Sequence, residues 1–494
     1  MSTGGVYQLI ANDGKQDLML TATKLLNSRL RELKKIRCKN PAIKDPLPTL
    51  IDIEKTHIFY MSAHFKPFVQ MGFEYQSVQS QDGLLKFGNT ITFSIPQFGD
   101  FFHDMVLHVR LEGLAPVVPG DQVQYCEFLG HRLCRRTLFE VNQNPIDFYG
   151  SDTLNMHYNF AVTENKKLGW LRGIGQETPK LATLYQNPGV DNCRERKFIL
   201  DGLQTPKDVH PVADLWIPLI FWFNTDPRLS LPSIAIPFGQ RFVKITFADL
   251  NEVCFGVDFG GGGAFVPPTV TATELFINNI FVNPDIHDIF IKRVGFTMIR
   301  VHREQRTPLS TSAENIQLQE LKWPTETLYI GIKPTINEGT QQHWASYHFV
   351  TPQFWSFPVA IPNPVPPPAD QLAFSDATWF NETPCIDTFV LETHGVQLYH
   401  PNPVNFYNIY LPYRYGSSSI STPIDTGLYM ATFNLYPGTY QPSGHINLSR
   451  SREFYFNYVS SIISPTVTAA LYVTAIAINF LLISEGQAVL RYNV

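Results

Sequence analysis

From about residue 50 onward, apolar and polar residues alternate in short runs that turn residues separate. The alternation is clearest in residues 87–95, 105–111 and 241–247. Successive side chains of a β-strand point to opposite faces, so this pattern is typical of strands with one buried face. Many short strands at near-regular spacing predict a β-sandwich or a barrel, and therefore an all-β chain.

The same pattern of short strand-like runs occurs in both halves of the chain. In the first half, the strongly apolar run 214–224 predicts a strand that ends at the turn Thr225-Asp226-Pro227, and a further strand is predicted at 275–282. Residues 283–290 read as a single helical turn. The strand pattern then restarts, and we predict strands at 296–303, 328–332, 388–391, 430–435 and 453–458.

The stretch 454–484 carries no charged side chain and is long enough to span a bilayer. Pro465 and many Ser, Thr and Asn residues interrupt it, however. We therefore expect two buried strands, 464–476 and 478–483, rather than a membrane helix.

The length of 494 residues exceeds what one hydrophobic core usually supports, which is about 250–300 residues. We predict an N-terminal arm at 1–48, a first β-domain at 49–283, a linker at 284–291 and a second β-domain at 292–494. Proline-rich residues 358–368 predict an extended loop within the second domain.

Residues 15–37 are the only long helical candidate, and basic residues cluster over 29–39 until Pro41. Two interpretations stay open for this segment. It is either a solvated helix packed on the first domain, or a basic arm that docks on an acidic lipid surface or on neighbouring proteins.

Composition narrows the functional classes. Charged residues make up only 16% and aromatic residues 13%, with 37 Pro, which suits β-structure with large buried surfaces, including surfaces between subunits. The net charge of -5 argues against direct nucleic-acid binding. Six cysteines without C-x-x-C spacing favour a reducing compartment over disulfides or zinc: Cys38, Cys126, Cys134, Cys193, Cys254 and Cys385.

The sequence gives little sign of chemistry. It lacks H-x-H, H-E-x-x-H, G-x-S-x-G and phosphate-loop motifs, and the glycine-rich residues 258–268 read as a surface loop. His103-Asp104 and His287-Asp288 are adjacent pairs whose side chains should point to opposite faces. We therefore predict no catalytic, cofactor-binding or metal-binding residue, no cofactor, and no enzymatic activity. A jelly-roll glycosidase or a cupin is the enzymatic alternative.

Four further positions carry local predictions. The sequons at Asn381 and Asn447 match the N-glycosylation pattern, and we expect both to be unmodified. Pro442 and Gly444 predict a tight turn in which the glycine adopts a positive φ.

Several segments resemble the major capsid proteins of large nucleocytoplasmic DNA viruses, and the asfarvirus-like members most closely. The resemblance runs collinearly along the chain. It rests on GGVYQLIANDGK (4–15), SIPQFGDFFHDMV (94–106), LWIPLIFWFN (215–224), LPSIAIPFGQRF (231–242), ELFINNIFVNPDIHDIFIKRV (274–294) and YQPSGHINLSRSREFY (440–455). The sequence departs from that pattern at 110–125 and 151–211, where its loops are shorter.

The resemblance implies a double jelly roll, that is, two tandem eight-stranded antiparallel β-sandwiches, with a short N-terminal helical arm. It implies a homotrimeric, pseudo-hexagonal capsomer that tiles an icosahedral shell over an internal membrane. A minor capsid protein or a receptor-attachment jelly-roll protein of the same virion is the alternative.

The implied partners are further copies of this chain, neighbouring capsomers, minor capsid and penton proteins, and the inner viral membrane or its proteins through the arm. The implied location is the virion capsid, assembled at viral factories in the host cytoplasm. Jelly rolls pair strands that are far apart in sequence, so folding is slow, and we also expect a folding chaperone.

Overall fold

A computed structural model gives the fold of most of the chain. It describes residues 31, 35, 71–178, 180–185, 194–199, 202–233, 236, 240–257, 263–282, 295–354, 378–416, 419–450, 453–484 and 487–491.

The first half of the chain contributes fifteen strands among the described residues. In chain order they are β1 (Met71–Gln79), β2 (Thr90–Ser94), β3 (Phe101–Glu112), β4 (Ala115–Pro116), β5 (Gln122–Tyr125), β6 (Cys134–Val141), β7 (Asn144–Gly150), β8 (Lys180–Tyr185), β9 (Arg194–Ile199), β10 (Ala213–Pro218), β11 (Leu231–Pro232), β12 (Arg241–Phe247), β13 (Cys254–Val257), β14 (Phe265–Val266) and β15 (Thr269–Val282).

The second half contributes thirteen more strands. They are β16 (Gly295–Leu309), β17 (Ala313–Gln317), β18 (Pro324–Pro334), β19 (His348–Phe354), β20 (Thr378–Pro384), β21 (Thr388–Thr393), β22 (Val396–Gln397), β23 (Asn402–Pro403), β24 (Leu428–Thr432), β25 (Ile446–Asn447), β26 (Phe454–Val459), β27 (Ala469–Ser484) and β28 (Gln487–Leu490).

Helices are short and lie in the connections between strands. The α-helices are α1 (Leu129–Leu133), α2 (Ser151–Phe160), α3 (Glu164–Gly173), α4 (Trp222–Thr225), α5 (Leu250–Val253), α6 (Thr335–Glu338) and α7 (Leu411–Tyr415). Pro227–Leu229 and Leu448–Arg450 form 3₁₀ turns, and Phe406–Tyr410 forms a π-helical turn that runs directly into α7.

The principal strands of each half form two antiparallel four-stranded sheets with the same order. In the first half the orders are β1-β15-β3-β10 and β2-β12-β6-β7; in the second they are β16-β27-β18-β24 and β17-β26-β21-β22. Written as eight successive strands, both halves place strands 1, 8, 3 and 6 in one sheet and 2, 7, 4 and 5 in the other. This order is the jelly roll, and the predicted double jelly roll is confirmed.

Alternation along each strand places the core. In β3, Met105, Leu107, Val109 and Leu111 are completely buried, while the residues between them face outward. One apolar cluster fills the first sandwich and extends to Ile299 and others on β16 and β27, and a second cluster fills the second sandwich. The two sandwiches therefore share an apolar contact and are packed against each other.

Some predicted elements have different limits. The strand predicted at 214–224 ends at Pro218, because the chain turns into the core and forms α4, whose Asn224 side chain accepts a hydrogen bond from the Phe221 backbone at 3.1 Å. The strand predicted at 430–435 is β24, which ends at Thr432.

The uncharged stretch 454–484 forms strands, as predicted, but the two strands expected at 464–476 and 478–483 are one continuous strand, β27. Strands β16 and β18 pair with β27 along its length, so its hydrogen-bonded ladder is not divided into two strands. In the described part of the chain, no helix has the length and apolar character that crossing a membrane requires.

Gly444 has φ 140, so the positive φ predicted for this glycine is confirmed, whereas residues 442–445 do not form the predicted tight turn. The sequence pattern did not predict α2 and α3, which have ten residues each. The long helix predicted at 15–37 lies almost entirely outside the described residues. Within that arm the structure describes Arg31 and Lys35, which are both helical and exposed. The rest of the arm and the segments 284–291 and 358–368 lie outside the described residues, so the predicted domain boundaries stay predictions.

Candidate assembly interface

Helix α2 fastens the first sandwich to the second. It follows β7 directly and lies against the outer face of the β16-β27-β18-β24 sheet. Met156 and Phe160, four residues apart on one side of the helix, are fully buried there and belong to the second apolar cluster. The Phe160 ring stacks on Tyr329 of β18, with ring centroids 4.7 Å apart.

Polar contacts surround this apolar centre. The Asp152 carboxylate pairs with the ammonium of Lys333, which is almost fully buried, and accepts a hydrogen bond of 2.7 Å from the Tyr347 hydroxyl. The hydroxyls of Thr153 and Thr474 lie 2.7 Å apart. A buried ammonium is costly without a partner, so Asp152 is required for this packing to be stable.

A second polar group lies where β7 meets β16. The Asp147 carboxylate accepts hydrogen bonds from the His302 backbone amide at 2.8 Å and lies 3.0 Å from His302 Nδ1. Burial disfavours the charged imidazole, but the Asp147 carboxylate outweighs it and raises the pKa of His302. Burial also raises the pKa of Glu304, which accepts hydrogen bonds from the Gly150 amide at 2.7 Å and from Thr153. We call this whole contact the in-chain joint.

A cleft of about 500 Å³ opens beside the in-chain joint. Charged side chains line it, and they are paired: Arg132 pairs with Glu252 at 3.6 Å, and Arg306 pairs with Glu338, outside the lining, at 2.8 Å. Each of these pairs lies within one half of the chain, whereas Glu304 joins the two halves through Gly150 and Thr153. This arrangement stabilises packing between elements, which is a structural role.

The first sandwich carries an aromatic outer face. Phe73 and Tyr75 of β1, Trp216 of β10 and Phe276 of β15 share that face, by the registers of β1, β15, β3 and β10. We call these four residues the aromatic face. The Trp216 ring lies 5.1 Å from Phe276 and stacks on His108 at 4.2 Å. Phe73, Tyr75 and Trp216 are all exposed, which is unusual for a cluster of aromatic side chains on a protein surface.

A second apolar surface lies on the second sandwich. The π-helical turn and α7 together form a helical segment, 406–415, that buries Tyr407 and Leu411. Its other side exposes Ile409, Tyr410 and Tyr413. We call this segment the 406–415 helix.

The residues that the sequence singled out have structural roles. His103 is buried with Nδ1 2.5 Å from the Phe223 carbonyl oxygen, whereas Asp104 points outward and accepts a hydrogen bond of 3.0 Å from Tyr75. The prediction that these neighbours face opposite sides is confirmed. His287 and Asp288 lie outside the described residues.

Asn447 Oδ1 accepts a hydrogen bond from the Ser449 amide at 3.1 Å, within its own sequon. The four cysteines among the described residues are buried and free, and burial raises the pKa of the Cys134 thiol to about 12. In the part of the chain that the structure describes, no three His, Cys, Asp or Glu side chains are grouped as metal ligands.

Sequence reasoning missed α2 and its partners. The available signal was the spacing of Met156 and Phe160, which places two large apolar side chains on one helical face. Asp152, Thr153 and Glu304 read as ordinary surface residues, because each one's partner lies far away in the sequence.

Comparison with known protein families gives two adjoining matches. Residues 69–283 match the family described as "Major capsid protein N-terminus", and residues 281–489 match "Large eukaryotic DNA virus major capsid protein". The two matches meet at the end of β15, where the first jelly roll closes.

Individual relatives agree. The chain is 33% identical to "Hexon protein p72" of African swine fever virus (isolate Tick/Malawi/Lil 20-1/1983), over an alignment that covers all of both chains. That alignment has 649 positions, more than the 494 residues of this chain, so the relative carries insertions. This agrees with the shorter loops expected here, although where the insertions fall stays a prediction.

Solved structures give the same result. The Faustovirus major capsid protein superposes with a TM-score of 0.75 and 33% identity, covering 96% of this chain and all of that one. A subunit of the PBCV-1 virus capsid superposes with a TM-score of 0.63 at 19% identity, covering 87% of this chain and 98% of that one. The second likeness is one of fold.

Proposed function

This chain belongs to the family of major capsid proteins of large eukaryotic DNA viruses, and we propose that three copies form a homotrimeric capsomer of pseudo-hexagonal outline. As a major capsid protein it is a structural component of the virion capsid, and it assembles with neighbouring subunits into capsomers and a shell. Membership in a structural family supports the prediction that the chain is not an enzyme.

One observation carries the trimer: each chain holds two side-by-side sandwiches with the same strand order. Three chains around a threefold axis then present six similar bodies, which tile a hexagonal lattice with one gene product. The test is the mass of the purified full-length chain by light scattering. We expect three chains per particle at micromolar concentration, and a stable monomer would contradict the proposal.

The runner-up is a minor capsid or receptor-attachment protein with the same fold. Abundance separates the two, because the main shell subunit must dominate the protein content of purified virions. A minor band on a gel of virions would favour the runner-up.

We propose that the N-terminal arm ties the capsomer to the inner viral membrane or its proteins. Basic residues over 29–39 support this, and Arg31 and Lys35 are both exposed one helical turn apart. Deleting residues 1–37 should leave trimers intact but impair shell assembly in infected cells. Unfolding of the first sandwich on deletion would instead make the arm part of that domain.

We also propose that a chaperone assists folding. Strand β1 pairs with β15, and β16 pairs with β27. The first strand of each sandwich therefore stays unpaired, with its apolar side exposed, until the last strand has been synthesised. Expressing the gene alone and with a candidate chaperone from the same genome tests this dependence. High yields of soluble trimer from the lone gene would contradict it.

A subunit of the shell should also contact minor capsid and penton proteins, and we propose these as further partners. We propose that assembly takes place at viral factories in the host cytoplasm. No direct contact with nucleic acid is expected, in keeping with the net charge of -5. Chemical cross-linking of intact virions, followed by identification of the peptides joined to this chain, tests these partners. Abundant cross-links from this chain to viral DNA would contradict the last expectation.

A further inference from the structure

We infer that the aromatic face of each chain is covered by the 406–415 helix of a second copy, so that the contact between chains repeats the in-chain joint. This inference rests on the proposed trimer and adds the two surfaces that build it. The repeated strand order of the sandwiches carries the argument, because equivalent elements can be matched one to one.

The two helices occupy equivalent places in the two sandwiches. In the first, β7 is the outer strand of its sheet, and α2 follows it at once. In the second, β22 and β23 pair with β21 at the same outer position, and the helical segment begins just after Pro403. Each sandwich therefore carries a helix directly after the fifth strand of its jelly roll.

The two sheets that would receive these helices are also equivalent, but only one is covered. α2 covers the outer face of the β16-β27-β18-β24 sheet, and β18 is buried at all eleven of its positions. In the first sandwich, the equivalent strand β3 buries only its core side, while Val106 and His108 stay partly exposed and Arg110 is exposed. Among the described residues, the exposed side of the 406–415 helix therefore has no sheet against it, and the exposed aromatic side chains of the first sandwich have no helix packed over them.

Within one chain, the 406–415 helix cannot reach the aromatic face, because the in-chain joint places the helix-bearing side of the first sandwich against the second. If the second sandwich contacts the first sandwich of the next chain in the same way, its 406–415 helix meets the aromatic face of that chain. Such a contact is heterologous, joining two different surfaces, and it forms a closed ring when the rotation allows it.

The chemistry of the two free surfaces matches. In the joint, an aromatic ring of the helix stacks on an aromatic ring of the sheet, Phe160 on Tyr329. Tyr410 and Tyr413 on the free helix offer the same kind of contact to Trp216 and Phe276. Large aromatic side chains at the centre of an interface commonly dominate its affinity.

The charges also match, with the signs exchanged. In the joint, the helix supplies the acid, Asp152, and the sheet supplies Lys333. On the free surfaces, the helix exposes the basic Arg414, and the aromatic face is bordered by Asp104 and Asp214. Opposite charges on facing surfaces fix register and orientation between chains.

Two substitutions in the full-length chain test the inference, one on each surface. Phe73 is 64% exposed and Tyr413 is 77% exposed, so Phe73→Asp and Tyr413→Asp disturb little of the folded chain itself. Each should weaken trimer formation by at least about 30-fold, which corresponds to the loss of an interface hot spot. Val209→Asp and Ile336→Asp are matched controls, at 64% and 71% exposure, and should leave the trimer intact. Light scattering gives the mass, and circular dichroism confirms that each variant is folded.

Mixing the two test variants separates a heterologous contact from other arrangements. The Phe73→Asp chain keeps a functional helix, and the Tyr413→Asp chain keeps a functional aromatic face. An equimolar mixture with a bifunctional cross-linker should therefore give a one-to-one pair and no trimer, whereas neither variant alone should pair.

The outcomes distinguish failure of the proposed trimer from failure of the proposed contact surfaces. A wild-type monomer would contradict the proposed trimer itself. A wild-type trimer whose Phe73→Asp and Tyr413→Asp variants remain as trimeric as the controls would overturn only the assignment of these surfaces. Pairing of either variant with itself, or no pair in the mixture, would overturn the heterologous contact.

Discussion

Strands β3 and β18 occupy the same place in the two jelly rolls, yet their surroundings differ. β18 is buried on both faces, because α2 of the first sandwich packs on its outer side. β3 is buried on one face and leaves the other to solvent. In the part of the chain that the structure describes, a helix packs on the outer face of β18, and none packs in the same way on β3.

The difference also explains where charge is tolerated. Lys333 on β18 is almost fully buried, and this is possible because Asp152 reaches it from the other sandwich. On β3, Arg110 stays exposed and pairs with Glu112 only two residues away, at 2.8 Å. The buried pair Asp152–Lys333 thus joins the two sandwiches, whereas the exposed pair on β3 is local.

The largest expected effect comes from removing the ring at the centre of the joint. Phe160→Ala deletes a fully buried side chain and should lower the free energy of unfolding by about 3–5 kcal/mol. Trp216→Ala, on the free aromatic face, should cost the folded chain no more than about 1 kcal/mol. Urea unfolding of both variants provides the measurement, made in the Tyr413→Asp background so that no second copy covers the aromatic face. Equal losses would remove the contrast between a covered and an uncovered face.

Breaking the buried ion pair should have the next largest effect. Asp152→Ala leaves the Lys333 ammonium buried without its carboxylate, and we expect a loss of about 3 kcal/mol in the free energy of unfolding. The double variant Asp152→Ala with Lys333→Met should recover most of that loss, since no charge is then stranded. Asp214→Ala, whose carboxylate is half-exposed beside His108, is the matched control on the free face. A double variant no more stable than Asp152→Ala would contradict this account of the pair.

The smallest effect is a dependence on pH. Because the pKa of His302 is raised by folding, its contribution to stability is present below its ordinary value of 6.5 and is lost as the pH rises through the folded pKa. The Tm difference between wild type and His302→Gln should shrink from about pH 6 to about pH 8.

His131 is the comparison of opposite sign for this pH series. Burial lowers the pKa of His131 to about 4, whereas the unfolded imidazole titrates near its ordinary value of 6.5, so His131 costs stability as the pH falls below about 7. The wild-type Tm minus the His131→Asn Tm should therefore rise from about pH 6 to about pH 8, while the corresponding difference for His302→Gln falls. A His302→Gln difference that stayed constant would show that Asp147 does not hold a charged imidazole.

Much of each sandwich could be predicted from local pattern. Residues 241–247 alternate in sequence, and β12 buries every second side chain as that alternation predicts. This succeeds because side-chain direction in a strand depends only on neighbouring residues. The capsid function came from resemblance, since no local pattern carries it.

The joint could not be predicted, because its determinants are pairs of residues distant in sequence. β18 includes Glu326 and Lys333, which read as solvent-facing charges. In the fold, Glu326 is bonded to Arg300 at 2.5 Å, and Lys333 to Asp152. In the same way, Asp152 and Thr153 make the start of α2 look polar, although both face a second domain. Tertiary contact, not the local pattern, decides which side of these elements is buried.

Because of the position of β27, incomplete chains should be unable to assemble. This strand is made late, yet it lies between β16 and β18 and supplies Thr474 to the joint. A nascent or prematurely terminated chain that lacks β27 leaves a gap in the second sandwich, so its two halves cannot dock firmly. If capsomers form only from docked halves, then fragments released early from the ribosome are excluded from the shell without any separate inspection step.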